Sequence, residues 1–147
     1  MAFETPISGS VFVESTPSAI CDVYEQVLSG LRNSGFSEDD IFAVHLALDE
    51  AFLNAIKHGN KMDPNKKVKI DFVVSLDKVE IFLTDQGKGF QPEAVPDPRL
   101  GENLYKTSGR GLLLINSYMD LVEYNELGNC LHMVRYKEKP DLSKNQP

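Results

Sequence analysis

The chain has 147 residues, 41% of them hydrophobic and 25% charged, with a formal net charge of −7. That is one domain with enough apolar side chains for a core, and its negative balance argues against broad binding to nucleic acid or to an anionic membrane. No run approaches the roughly 18 apolar residues of a membrane helix, and Met1–Ser10 lacks the basic-then-apolar pattern of a secretory signal.

Cys21 and Cys130 lie far apart and form no CxxC pair, so they read as reduced, structural thiols of a cytoplasmic protein. His45, His58 and His132 show no metal-ligand spacing, which argues against zinc. A first strand is expected over Ile7–Glu14. Ser15 or Thr16 followed by Pro17 predicts a helix start with a capping hydroxyl. Ile20, Val23, Tyr24, Val27, Leu28 and Leu31 recur at helical spacing, and Gly35 ends that helix. Ser37 and Asp40 form a capping box, with Asp in the place of Glu, ahead of a long helix that runs to about His58. Gly59 is the expected left-handed stop. Two alternating strands follow, Val68–Val74 and Val79–Thr84, and period two places Asp85 on the same face as Val79, Ile81 and Leu83. The stretch Gln91–Ser108 holds Pro92, Pro96 and Pro98 without a sustained period; at this length it reads as a functional loop such as a lid. A helix opening at Gly109-Arg110-Gly111, a strand at Leu121–Tyr124, a turn at Leu127-Gly128-Asn129 and a last strand at Leu131–Tyr136 complete the domain. It is expected over residues 1–137, with 138–147 a polar tail.

The long helix has two faces at ~100° per residue. Ile41, Val44, Leu48, Phe52 and Ala55 make an ordinary core stripe. Nearly opposite lie Ala43, Ala47, Glu50 and Asn54. The alanines leave room for something to approach the backbone, while Glu50 and Asn54, at i and i+4, sit one above the other as a base beside a metal ligand would. The same pattern also suits many surface helices. Asp85, a carboxylate on an apolar face, needs a donor to satisfy it, although strands often end in Asp to cap a turn. Gly87-Lys88-Gly89 allows close backbone approach, and such a Gly-x-Gly alone is more often just a turn. Ser108-Gly109-Arg110-Gly111 before an apolar helix offers bare N–H groups and a guanidinium to an anion, or simply a tight loop before a core helix. Walker A and His-Arg-Asp kinase patterns are absent.

The ordered set of a Glu/Asn helix, an Asp-x-Gly-x-Gly strand end, a lid-like loop and a Gly-Arg-Gly helix start resembles the N, G1 and G2 boxes of the GHKL superfamily of ATP-binding domains. Within it the chain looks most like the small serine kinases that act as anti-sigma factors, the RsbW and SpoIIAB type. The closer match rests on Asp49-Glu50-Ala51, Asn54-Ala55-Ile56-Lys57-His58-Gly59, Pro96-Asp97-Pro98 and Ser108-Gly109-Arg110-Gly111-Leu112, together with a length that fits one bare domain.

That resemblance implies a two-layer α/β sandwich, its mixed, mostly antiparallel sheet covered on one face by helices. It implies ATP or ADP as ligand with Mg²⁺ held by Asn54, and Glu50 as the general base. Asp85 would receive the adenine amino group, with Gly87 and Gly89 passing close to the base. Ser108, Gly109, Arg110, Gly111 and Leu112 would form the phosphate-side turn. Asn129 stands where the family often has a threonine that helps hold adenine; an amide can donate and accept in its place. The implied activity is phosphorylation of a STAS-domain, anti-anti-sigma-type protein, with a sigma factor as a further partner, in the bacterial cytoplasm. Relatives form homodimers through their N-terminal strand and helix region, for which Ile7–Glu14 is available. A nucleotide-gated binding module with little chemistry is the alternative function, and a degenerate relative that binds no nucleotide is a third.

Overall fold

The computed structural model describes residues 6–87 and 110–137. Strand β1 spans Ile7–Glu14, β2 Lys67–Val74, β3 Lys78–Thr84, β4 Leu121–Tyr124 and β5 Cys130–Tyr136. They form one sheet in the order β1-β2-β3-β5-β4, and every pairing is antiparallel. Helices α1 (Cys21–Asn33), α2 (Glu38–Asn54) and α3 (Arg110–Tyr118) make the second layer. This is the expected two-layer α/β sandwich, with the described strands wholly antiparallel rather than mixed. The alternation read from the sequence holds in register: Ile70, Phe72, Val74, Val79, Ile81, Leu83, Leu131 and Met133 are all buried toward the helices. Lys69, Asp71, Glu80, Phe82 and His132 belong to the opposite set, where the Phe82 and His132 rings stack with centroids 4.2 Å apart.

The helix ends follow local chemistry. Ser37 Oγ accepts from Asp40 N at 3.0 Å and Asp40 Oδ2 accepts from Ser37 N at 3.3 Å, so the capping box forms as expected. Asp40, fully buried, also receives Arg135 Nε at 2.9 Å, and that guanidinium donates onward to the Tyr118 carbonyl at 2.6 Å. One side chain thus starts α2 and ties it to β5 and to the end of α3. Helix α1 closes with Gly35 at φ +83°, where Phe36 N reaches Leu31 O at 3.0 Å and Gly35 N reaches Arg32 O at 3.1 Å. This is the left-handed glycine stop with its apolar lock, since Leu31 and Phe36 are both buried.

Three local expectations differ from the structure. Thr16 caps the short 3-10 turn Pro17–Ile20 without a side-chain hydrogen bond, and Ser15 Oγ instead donates to Lys66 O at 2.6 Å, so neither hydroxyl caps a helix start. Gly59 is not left-handed; the positive φ angles at that helix end belong to Lys61 at 54° and Met62 at 60°. Ala43 and Ala47 are 2% and 0% exposed on a helix that packs against α3 as well as the sheet. Both side chains are buried rather than presented on an open helix face.

Candidate functional site

Asn54 is the last residue of α2, and the chain then widens into a π-helical turn over Ala55–Gly59. The widening is visible in Asn60 N, which reaches back five residues to Ala55 O at 2.8 Å. Such turns inside or at the ends of α-helices recur at functional sites because they re-aim the residues that follow. Here the turn carries Gly59 underneath the end of β3. A Cβ on Gly59 would stand 2.6 Å from Asp85 Oδ1 and closer still to the rest of that carboxylate. A Cβ on Gly87 would stand 2.6 Å from the Gly59 carbonyl carbon and closer to its oxygen. Glycine is needed at Gly59 for close approach, not for φ.

Asp85 lies where period two placed it, 9% exposed at the inner end of β3. Its Oδ1 accepts from Gly87 N at 2.8 Å. Its backbone N donates to Asn129 O at 2.8 Å, and its carbonyl accepts from Asn129 Nδ2 at 3.4 Å. Burial raises its pKa above the usual 3.8, partly opposed by the Gly87 N–H and by Lys66. A buried carboxylate with one oxygen committed to a backbone N–H offers its other oxygen to a donor. Gly59 and Gly87 pack directly against it, and an acceptor oxygen held in this way has the chemistry to receive an exocyclic amino group of a purine. Tyr124, on the inner face of β4, is pushed up to about 12 by burial and by the Asp85 charge, which keeps the phenol neutral. Asn129 does reach Asp85, but only at the Asp85 backbone, through its own carbonyl and its Nδ2; its Oδ1 accepts from Asn125 Nδ2 at 2.8 Å inside the hairpin turn.

Glu50 and Asn54 are half-buried on one face of α2, one turn apart. Among the described residues no hydrogen bond or ion pair engages either side chain. The neighbouring carboxylate is occupied: Asp49 Oδ1 accepts from the Tyr24 hydroxyl at 2.5 Å. Burial, and then this contact with Asp49, push the Tyr24 phenol well above its ordinary range. Of the two adjacent acids, Asp49 is tied to α1 and Glu50 is not. The described residues contain no group of three or more His, Cys, Asp or Glu that could hold a metal. An Asn54 amide fits Mg²⁺, which takes few protein ligands beside waters and phosphates.

Arg110, Gly111 and Leu112 fall in the first turn of α3, as the Gly-Arg-Gly pattern predicts for a helix start. Gly89, Ser108, Gly109, the Pro96-Asp97-Pro98 lid segment and the polar tail 138–147 lie outside the described residues. Two contributors escaped the sequence reading. Tyr124 follows the inner-face alternation of β4 and was legible as a site neighbour only once Asp85 was placed. Asn60, 1% exposed, looked like one more polar residue of a loop.

A sheet covered on one face by helices, with an acidic strand end facing the close of an Asn-bearing helix, is the architecture of an ATPase domain. A family model described as the histidine kinase-like ATPase domain matches residues 13–135, and the chain belongs to that family. Among curated proteins it is similar to the serine-protein kinase RsbW of Staphylococcus epidermidis, 35% identical over 128 residues and 80% of each chain. It is likewise similar to the serine-protein kinase RsbW of Staphylococcus aureus strain MSSA476, 33% identical over 127 residues with the same coverage. Among solved structures it resembles a crystal structure of the RsbU and RsbW domains of a Mycobacterium tuberculosis protein. The TM-score is 0.60 at 15% identity, spanning 90% of this chain and 33% of that one, a likeness of fold. Among the described residues no helix is long and apolar enough to cross a membrane.

Proposed function

We propose that the protein is an ATP-dependent protein serine kinase that phosphorylates a STAS-domain antagonist and works as an anti-sigma-type partner switch. The observation that carries this reading is the Asp85 carboxylate, buried against Gly59 and Gly87 with one oxygen engaged by a backbone N–H. It would hold the adenine amino group. Membership of the ATPase-domain family and the similarity to RsbW kinases support the same reading.

Asn54 would hold Mg²⁺, which supplies charge neutralisation for the transferring phosphoryl group. Glu50 would take the proton from the attacking serine hydroxyl. Both side chains are uncommitted among the described residues and only partly buried, which supports these roles. Gly87 and Gly89 would line the adenine edge, with Asn129 bracing the Asp85 backbone. Ser108, Gly109, Arg110, Gly111 and Leu112 would wrap the phosphates with N–H groups and a guanidinium, the fixed electrostatics that phosphoryl transfer requires. The working unit would be residues 1–137, in the bacterial cytoplasm. A homodimer through β1 and a sigma factor as competing partner complete the proposal.

The test is to mix the protein with Mg-ATP and a STAS-domain protein encoded beside it, and to look for phosphoserine by mass spectrometry. Phosphoserine on the STAS partner is expected. Tight ADP and ATP binding with no transfer overturns the kinase reading and leaves a nucleotide-gated binding module.

A further inference from the structure

Apart from Glu50, Asn54 and Asp85, a buried polar side chain is engaged on every side. It is Asn60, one residue past the π-helical turn. Its Oδ1 accepts from Gln86 N at 2.7 Å. Its Nδ2 donates to Ser15 Oγ at 3.0 Å and to Lys67 O at 3.1 Å. Both amide protons and the carbonyl are therefore used, each on a different segment: the end of β1, the start of β2 and the turn after β3. Ser15 passes the link on to Lys66 O, and Gln86 Oε1 returns it by accepting from Lys67 N at 2.7 Å.

The Gln86 peptide is the step between Asp85 and Gly87. Two consecutive N–H groups in this turn are thus held. Gln86 N goes to Asn60, and Gly87 N goes to Asp85 Oδ1. The first bond holds the Asp85–Gln86 peptide, the unit directly before the one that presents the second. Asn60 also follows directly on Gly59, whose backbone fills the space beneath the Asp85 carboxylate. One residue therefore joins the glycine that lies against Asp85 to the turn whose backbone donor binds it.

We propose that Asn60 is a positioning residue for nucleotide selectivity, holding the Gln86–Gly87 turn so that the free oxygen of Asp85 faces the amino group that distinguishes adenine from its deaminated counterpart. This rests on the reading of Asp85 as the adenine acceptor. A hydrogen-bonded site rejects an analogue lacking the matching group more strongly than an apolar pocket does, because its own polar atom is left unpaired. Loosening Asp85 should erode that rejection before it affects contacts to the phosphates.

The test compares the full-length protein with Asn60→Ala, titrating ADP and inosine diphosphate by calorimetry at a temperature well below the Tm of both. The expected result is an ADP affinity that falls by about tenfold, one hydrogen bond's worth, while inosine diphosphate affinity holds, so the ratio between them collapses. A lower Tm with the full ratio retained overturns the proposal and leaves Asn60 a purely structural residue. If Asn60→Ala does not fold, Gln86→Pro deletes the donor of the same bond from an exposed position, and a retained ratio there overturns the proposal equally. A parent protein that binds both nucleotides alike overturns the adenine reading of Asp85 itself and this proposal with it. An Asn60→Ala protein that loses selectivity beside a selective parent fits no structural role alone.

Discussion

Gly59→Ala is the smallest change that attacks the site directly. The added methyl would stand 2.6 Å from Asp85 Oδ1 and nearer to the other carboxylate atoms, against an ordinary contact of 3.4–4 Å. Something must move by about an ångström. The carboxylate is the mobile partner, but it is held by the Gly87 N–H at 2.8 Å, so moving it breaks that bond. Overpacking of this kind costs about 1–3 kcal/mol, which for a chain of this size lowers Tm by about 3–9 °C. The effect on ligand should be larger in proportion. A hydrogen bond to a charged group contributes about 1.5–3 kcal/mol, so losing it to adenine should weaken ADP binding by roughly 10- to 150-fold. Calorimetric titration of ADP into folded Gly59→Ala is the assay. Gly30→Ala is the matched control, because its Cβ would meet Val74 and Ile7 at 3.5–3.6 Å, ordinary contact. Inside α1 that exchange should be neutral or stabilise by up to ~1 kcal/mol. An ADP affinity unchanged in Gly59→Ala would refute the claim that Asp85 and Gly59 form the adenine wall.

Further outcomes follow from the same contacts. Asp85→Asn keeps an acceptor for the Gly87 N–H and removes a buried charge, so the nucleotide-free protein should gain stability in urea melts at pH 7 while ADP binding is lost. The sign follows from linkage: the Asp85 pKa is raised on folding, so its share of stability is present in acid and lost as pH rises through the raised value. Conversely, ADP affinity should fall on acidification at a pH above the usual carboxylate value of 3.8, because the accepting oxygen becomes protonated; titrations across mildly acidic pH would show it. Asp40→Ala strands the Arg135 guanidinium and removes the carboxylate half of the α2 capping box, and should cost about 3–5 kcal/mol, read as an earlier urea midpoint.

The sheet was legible because strand period is an integer. Val79, Ile81, Leu83 and Asp85 share a face whatever the chain does elsewhere, and the capping box at Ser37 and Asp40 is a contact three residues long. What was not legible depends on partners distant in sequence. Asp40 reads as a cap, yet its burial comes from Arg135, 95 residues away. The π-helical turn has no propensity signal; it ends at Asn60, whose side-chain partners come from Ser15, Lys67 and Gln86. Gly59 looked like a helix stop because glycine after a helix is most often one, and only the approach of Asp85 reveals the other reason for it. Ala43 and Ala47 show the same ambiguity: small residues on a helix admit a ligand or another part of the fold, and here both are buried.

Glu50 is the residue on which the kinase reading turns, since nucleotide binding alone needs no base. The decisive measurement is single-turnover transfer of γ-phosphate from Mg-ATP to the STAS partner by the parent protein and by Glu50→Gln, with ADP affinity measured in parallel. The account predicts phosphoserine with the parent, a rate lower by about 10²–10⁴-fold in Glu50→Gln, and equal ADP affinity in both. Equal transfer rates in the two proteins would contradict it.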